Sequence, residues 1–133
     1  NLSGIYSMVW TVAAENARSE ALKEKFLDRD ITPWSRPYLG YVTLDQGVRA
    51  AMRAASLNPE DMRAALDGHE FDGWKESQSK WRSCDNQLLQ DTYVARVRDE
   101  PQTEPYKNYF EVVETFAAQD VVRSCDNTGC SPE

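Results

Sequence analysis

The amino-acid sequence predicts an all-α, single-domain helical bundle. Three observations carry this expectation. Apolar residues recur at helical spacing through most of the chain, helix-start signals are well formed, and no apolar–polar alternation of useful length marks a strand. No Asn-Gly or Asp-Gly hairpin lies between apolar runs either; Asp72-Gly73 stands beside a helical pattern.

The first helix is expected over about residues 3–28, rich in Ala, Glu, Lys and Leu beyond position 13. The segment from Ile31 to Pro37 reads as a connector, because Pro33 and Pro37 forbid a continuous helix there. Trp34 and Tyr38 would tack it to the core. A short helix follows over about 43–56, opened by the capping box Thr43-Leu44-Asp45-Gln46, with Val48, Met52 and Ala55 at helical spacing. A second short helix, about 59–67, starts from Asn58 as N-cap and Pro59 at the first helical position, and Gly68 stops it.

The remainder reads as a long antiparallel helical hairpin. Its first arm, about 73–98, is capped by Asp72 and carries Trp74, Trp81, Leu88 and Ala95 every seventh residue. Pro101 closes that arm. The second, about 103–124, carries the stripe Tyr106, Tyr109, Phe110, Val113, Phe116, Ala117 and Val121. A short connection makes the two arms antiparallel neighbours. Residues 125–133 form a cysteine-containing tail.

Length and charge bound the function. The 133 residues fit one domain, 1–133. The net charge of −7 falls entirely on residues 67–133, while residues 1–66 balance eight basic against eight acidic side chains. An acidic half repels phosphate backbones, so nucleic acid is not an expected partner. No run approaches the ~18 apolar residues of a membrane span. The chain opens on Asn1 rather than Met, as a processed precursor or a fragment would. An organelle lumen or another extracytoplasmic space is favoured over the cytoplasm.

The first fourteen residues carry no charged side chain, and the next sixteen carry nine. On a helical wheel the apolar members of residues 1–14 cover about 200°, against roughly 100° for a helix packed on one side. Leu2, Ile5, Tyr6, Val9 and Trp10 are therefore the candidate partner-docking residues. Ser3, Ser7 and Thr11, four apart, would let a second helix approach closely. The competing reading is a central helix buried within this same bundle.

The cysteines Cys84, Cys125 and Cys130 are disulfide candidates, with one left over from any intrachain pair. In a hairpin centred near residue 101, Cys125 lies roughly 10 Å along the axis from the position opposite Cys84, at about 1.5 Å per residue. That disfavours Cys84–Cys125. Cys84–Cys130, through a tail turned at Asn127-Thr128-Gly129, and Cys125–Cys130 remain open, as do reduced thiols. The pentapeptide Arg82-Ser83-Cys84-Asp85-Asn86 recurs as Arg123-Ser124-Cys125-Asp126-Asn127, but the flanks differ and no repeat architecture follows.

No catalytic, cofactor or metal constellation is expected. One histidine, His69, and three scattered cysteines do not make a zinc spacing. The acidic group Asp67, Glu70, Asp72 and Glu76 lacks the alternation of a calcium loop. A nucleophile–base pair and a Gly-rich phosphate loop are both missing from the sequence. The tryptophans and the tyrosine-rich stripe read as core. The expected function is therefore a non-catalytic accessory or extrinsic subunit. It would dock through helical surfaces onto other protein subunits of a larger assembly, photosynthetic or respiratory, with membrane association only through that complex. The alternative is a secreted small helical binding protein: an effector, an immunity factor or a carrier of an apolar ligand.

Overall fold

Strand-forming residues, not helical periodicity, decide the second half of the chain. The computed structural model describes residues 3–103 and 105–129. Its elements run β1 (Ile5–Met8), α1 (Ala17–Leu27), α2 (Ser35–Ala54), α3 (Pro59–Leu66), β2 (Glu70–Phe71), β3 (Ser79–Trp81), β4 (Leu88–Leu89), β5 (Thr92–Gln102), β6 (Asn108–Phe116) and the single turn α4 (Ala118–Val121). A 3₁₀ turn over Cys125–Asn127 follows. Two antiparallel sheets form, one ordered β1-β5-β6 and the other β2-β3-β4. The all-α bundle is thereby corrected to a mixed α/β fold.

The expected hairpin of long helices is instead a set of strands. Thr92-Tyr93-Val94 and Tyr109-Phe110, Val112-Val113, Thr115-Phe116 are β-branched and aromatic, and pack best on a pleated surface. Along β5, Tyr93 and Ala95 point into the core while their neighbours are more open. The cross-strand pair Arg96 and Glu111 adds an ion pair with Nη2 2.5 Å from Oε1. Pro101 lies where the β5–β6 register is broken, between Val97 and Gln102, so its missing N–H costs the ladder nothing regular. Trp81 and Leu88, seven apart, meet as register partners across the β3–β4 hairpin rather than along a helical seam. Asn86, in the turn between them, takes the left-handed conformation at φ 57°.

The helical half is corrected in its boundaries. The expected helix 3–28 survives only as α1, whose cap is Asn16, its side chain accepting from the Ser19 N–H. Ahead of it Gly4 sits at φ 113°, and Ile5–Met8 pairs with β5 in the register Ile5↔Arg96 to Met8↔Tyr93. The expected connector 31–37 gives way to α2, which starts eight residues before Thr43. Pro33 precedes the cap residue Trp34, and Pro37 occupies the third helical position, where a backbone N–H has no partner within the helix. Thr43 and Gln46 are thus mid-helix and form no capping box. At α3, Asn58 caps by accepting from the Glu60 N–H and Pro59 opens the helix.

The core gathers Trp10, Val12, Leu22, Phe26, Tyr38 and Val42, with Phe71, Trp74 and Tyr106 packed against it. Trp10 is fully buried and stacks on Tyr38 with ring centroids 5.1 Å apart. Burying a side chain of that size stabilises the fold by about 2–3 kcal/mol. Beside this stack lies Lys75, also fully buried. Its Nζ donates to the carbonyls of Val9 and Asp91, the latter at 2.5 Å, and lies 5.7 Å and 5.4 Å from the ring centroids of Tyr38 and Tyr93.

Burial pushes the Lys75 amine down to about 7, with Asp91 acting in the opposite sense. In the unfolded chain the amine sits near 10.5, so between about pH 7 and 10 the unfolded state holds more protons. Stability should therefore rise with pH across that window. Above it the trend should reverse, because burial raises both Tyr38 and Tyr93, the latter to about 12. Urea midpoints measured from pH 7 to 9.5 should climb in the native protein and stay flat in Lys75→Met. A second expectation concerns Gly73, where a Cβ would come within 2.1 Å of the Ser79 hydroxyl and 3.0 Å of its Cβ. Gly73→Ala should cost about 1–3 kcal/mol by overpacking, read as a lowered denaturation midpoint.

Candidate functional site

Helix α2 buries one side chain every fourth residue: Tyr38, Val42, Gln46 and Ala50. Three of these are ordinary core choices and the fourth is a glutamine. At that point α2 faces the small β2-β3-β4 sheet across a cleft of about 250 Å³, lined by Tyr38, Val42, Gln46, Leu66, Trp81 and Leu88, with Gln90 and Thr43 adding polar groups. Every lining residue is uncharged.

Two of the lining residues carry a buried polar atom without a hydrogen-bond partner. Gln46 is 2% exposed, and its Oε1 is buried without a hydrogen bond, as is the Trp81 indole Nε1. The orientation of the Gln46 amide is fixed by chemistry. Its Nε2 donates to Asp45 Oδ2 at 3.0 Å, and that carboxylate also accepts from Arg49 Nε at 2.8 Å and 2.9 Å. A carboxylate accepts only, so the amide nitrogen must face it and the oxygen must be the orphan. Each such orphan costs about 1–3 kcal/mol unless something fills its need. Tyr38 is the counter-case: its hydroxyl reaches the Gly73 carbonyl at 3.0 Å and Gln90 Oε1 at 3.2 Å, and burial raises its pKa well above the usual phenol value.

The cleft opens beside a wider apolar groove of about 560 Å³ along the outer face of α2, and the two share Leu39, Thr43 and Gly47. Leu44, Val48 and Leu57 stand 52–84% exposed on this side.

The sequence-predicted site residues scatter. Trp10 is in the core, and residues 11–14 are buried with it. Ile5 is 68% exposed, and Tyr6 and Val9 are each 39% exposed. Tyr6 packs edge-on against Phe110 at 5.9 Å. Leu2 and Cys130 lie outside the described residues. Among the described residues, the uncharged N-terminus therefore holds an edge strand and a buried segment, with no helix to present a docking face. Cys84 is joined to Cys125, with Cα atoms 5.8 Å apart, the pairing that the supposed helical hairpin disfavoured. The two like pentapeptides meet there: Arg82 Nη1 donates to the Arg123 carbonyl at 2.5 Å, and Arg82 pairs with Asp85. Of the acidic group, Glu70 pairs with Lys80 at 3.1 Å, and Asp72 faces Arg18 at 3.8 Å and accepts from the Trp74 N–H.

Gln46 and Trp81 read from sequence as a capping-box member and a helical-seam residue, not as residues of a site. The signal for Gln46 is the four-residue step Tyr38–Val42–Gln46–Ala50, visible only once α2 is started at Ser35.

No protein-family model matches the sequence, and no curated protein matches it. Solved structures do. A periplasmic binding protein from Burkholderia mallei superposes over 98% of this chain and 34% of its own, with TM-score 0.76 and 20% identity. An ABC-type branched-chain amino acid transporter protein from Rhodopseudomonas palustris covers 95% of this chain and 34% of its own, with TM-score 0.71 and 22% identity. The fold resembles a third of a periplasmic binding protein. A third match, an ABC-transporter solute-binding protein from another strain of that species in complex with 3,4-dihydroxybenzoic acid, covers 88% of this chain and 31% of its own, with TM-score 0.66 and 15% identity. The chain spans about a third of the length of these neighbours.

This likeness overturns the expectation of an accessory subunit docked through helical surfaces into a photosynthetic or respiratory assembly, since the neighbours are a periplasmic binding protein and an ABC-type transporter protein. Of the alternative, a small secreted helical binding protein, the helical architecture is overturned by the two sheets. Among the described residues, no helix is long and apolar enough to cross a membrane.

The disulfide closes a separation of 41 residues that holds both long strands. Loop-closure entropy puts its contribution at about 4 kcal/mol. A Cys84→Ser, Cys125→Ser double variant should unfold at clearly lower urea, and reductant should lower the native midpoint while leaving the double variant's unchanged.

Proposed function

We propose that the chain serves in solute binding, as part of a protein that captures a small molecule for an ABC-type transporter. The observation that carries this reading is the superposition of 95–98% of the chain on solute-binding neighbours at TM-scores of 0.71–0.76. The cleft supports it, being a mostly apolar pocket with a few polar residues in its lining. The Cys84–Cys125 disulfide suits an oxidising space such as the periplasm. The exposed apolar strip of α2 offers a surface for further polypeptide of such a protein to cover. On this reading the chain binds and releases its solute without turning it over, and its protein partner is the transporter that receives the solute.

The test is a ligand panel on the intact protein, covering leucine, isoleucine, valine and 3,4-dihydroxybenzoate, followed by thermal unfolding and calorimetry. One chemical class should saturate a single site. It should stabilise the fold by about 2.7 kcal/mol at a hundredfold excess over Kd. Absence of binding across the panel, or chemical conversion of a ligand on incubation, would count against this reading.

A further inference from the structure

The outer face of α2 carries two costs that contacts within the chain do not offset. We propose that a second copy of this chain covers that face, with α2 packed antiparallel on its partner's α2 about a two-fold axis. The inference is independent of the solute the chain binds.

The first cost is exposed apolar surface. Leu44, Val48 and Leu57 line the groove of about 560 Å³ and are each more than half exposed, Leu44 at 71%. Contiguous apolar surface marks an interaction site, whereas single exposed apolar residues do not. The second cost lies in Gly40 and Gly47. Both sit inside a 20-residue helix, where glycine is markedly less favourable than alanine. Neither has a positive φ that would demand glycine. Neither is crowded by its own chain, since a Cβ at either position meets nothing within 4 Å. Both open into the groove. Bare backbone beside a protruding leucine lets a second helix approach closely.

Turned antiparallel, the face complements itself. Setting Leu44 opposite the partner's Gly47 puts Val48 opposite the partner's Thr43 and Gly40 opposite the partner's Ala51. Each leucine then fills the space over a glycine, and the two-fold axis repeats the contact. Charge selects the orientation. Arg36 stands exposed in the first turn of α2, just ahead of Leu39 at one end of the groove. Glu60 and Asp61 stand exposed in the first turn of α3, between Leu57 and Met62 at the other end. In the same register Arg36 comes level with the partner's Ala55, where the chain leaves α2 for α3. Each end of the pair thus brings a cation toward two carboxylates. A parallel pair would set Arg36 against its own copy and acid against acid. Asp45 and Arg49, paired with each other, lie outside the groove lining and leave this choice unaffected. Charges at such a rim set orientation more than affinity.

Sedimentation velocity of the intact chain over a wide range of concentration tests the pairing. A monomer–dimer equilibrium is expected, with no larger species, because a two-fold contact closes on itself. Leu44→Asp should weaken the dimer by about tenfold or more, since each copy would bury an unpaired carboxylate. Gly47→Leu should weaken it by about as much through overfilling. At a concentration where both are monomeric, Gly47→Leu should unfold at the same urea as the native chain or higher, because the helix loses a glycine and the new side chain has open space. That measurement separates lost pairing from lost fold, and either variant suffices should the other not fold. Arg36→Glu should weaken the dimer by about threefold, and adding Glu60→Arg to the same chain should recover part of that loss. The proposal is overturned if the native chain is monomeric throughout, which would leave the strip to further polypeptide of a longer protein. It is overturned equally if a dimer forms that the folded Leu44→Asp and Gly47→Leu variants leave unchanged. A further loss on adding Glu60→Arg would overturn the antiparallel arrangement.

Discussion

The amine of Lys75 holds together parts of the chain that are far apart in sequence. It binds the carbonyl of Val9, where the chain leaves β1, and that of Asp91, just before β5, and it sits between the rings of Tyr38 from α2 and Tyr93 from β5. Backbone carbonyls buried in irregular segments need donors, and a fully buried amine gives one to each. The surroundings of Lys75 are tied down in turn. Arg18 reaches the Lys75 carbonyl at 3.4 Å, Ser19 donates to the Trp74 carbonyl at 2.8 Å, and Asp91 accepts from the Ser77 N–H at 2.8 Å. The loop ahead of β3 is thus fixed from α1, α2 and the large sheet together. That loop leads into β3, which carries Trp81, so the position of the cleft's indole depends on the lysine.

The second tie lies at the opposite end of the small sheet. Cys84–Cys125 and the Arg82–Arg123 carbonyl contact bring the two like pentapeptides side by side. Arg82 is locked by Asp85, which also accepts from the Gln87 N–H, and this keeps the β3–β4 turn in shape. Trp81 and Leu88 flank that turn as register partners. The cleft wall contributed by the small sheet therefore owes its rigidity to two short strands clamped at both ends, not to the length of its ladder.

Local signals in the sequence were legible where they were chemically specific. Asn58 followed by Pro59 marks the start of α3, because a side-chain acceptor and a residue without an N–H suit a helix start and little else. Periodicity misled where it was shared. Tyr109, Phe110, Val113 and Phe116 satisfy a helical stripe, yet they are also strong strand formers, and pairing with β5 decides between the two. The heptad of Trp74, Trp81, Leu88 and Ala95 was broken by Ser83-Cys84-Asp85-Asn86, which is turn chemistry, and Asn86 indeed takes a positive φ. Pro37 misled for a different reason: a proline ends a helix in its interior but is tolerated in its first turn, and only the position of Trp34 as cap tells which applies. The uncharged N-terminus was rightly seen as apolar, but its wheel presumed a helix, whereas Ile5–Met8 is an edge strand and Trp10 turns into the core.

The cleft was hidden by the same boundary error. With α2 starting at Thr43, Gln46 looks like the closing member of a capping box, its amide spent on a backbone N–H. With α2 starting at Ser35, Gln46 falls into the buried row of Tyr38, Val42 and Ala50, where an apolar side chain would pack without penalty. Its amide nitrogen is satisfied by Asp45 while its oxygen is left bare. A leucine there would remove that penalty. A buried polar atom kept without a partner is a cost to folding, and Gln46 bears it within a helix row that otherwise packs as core.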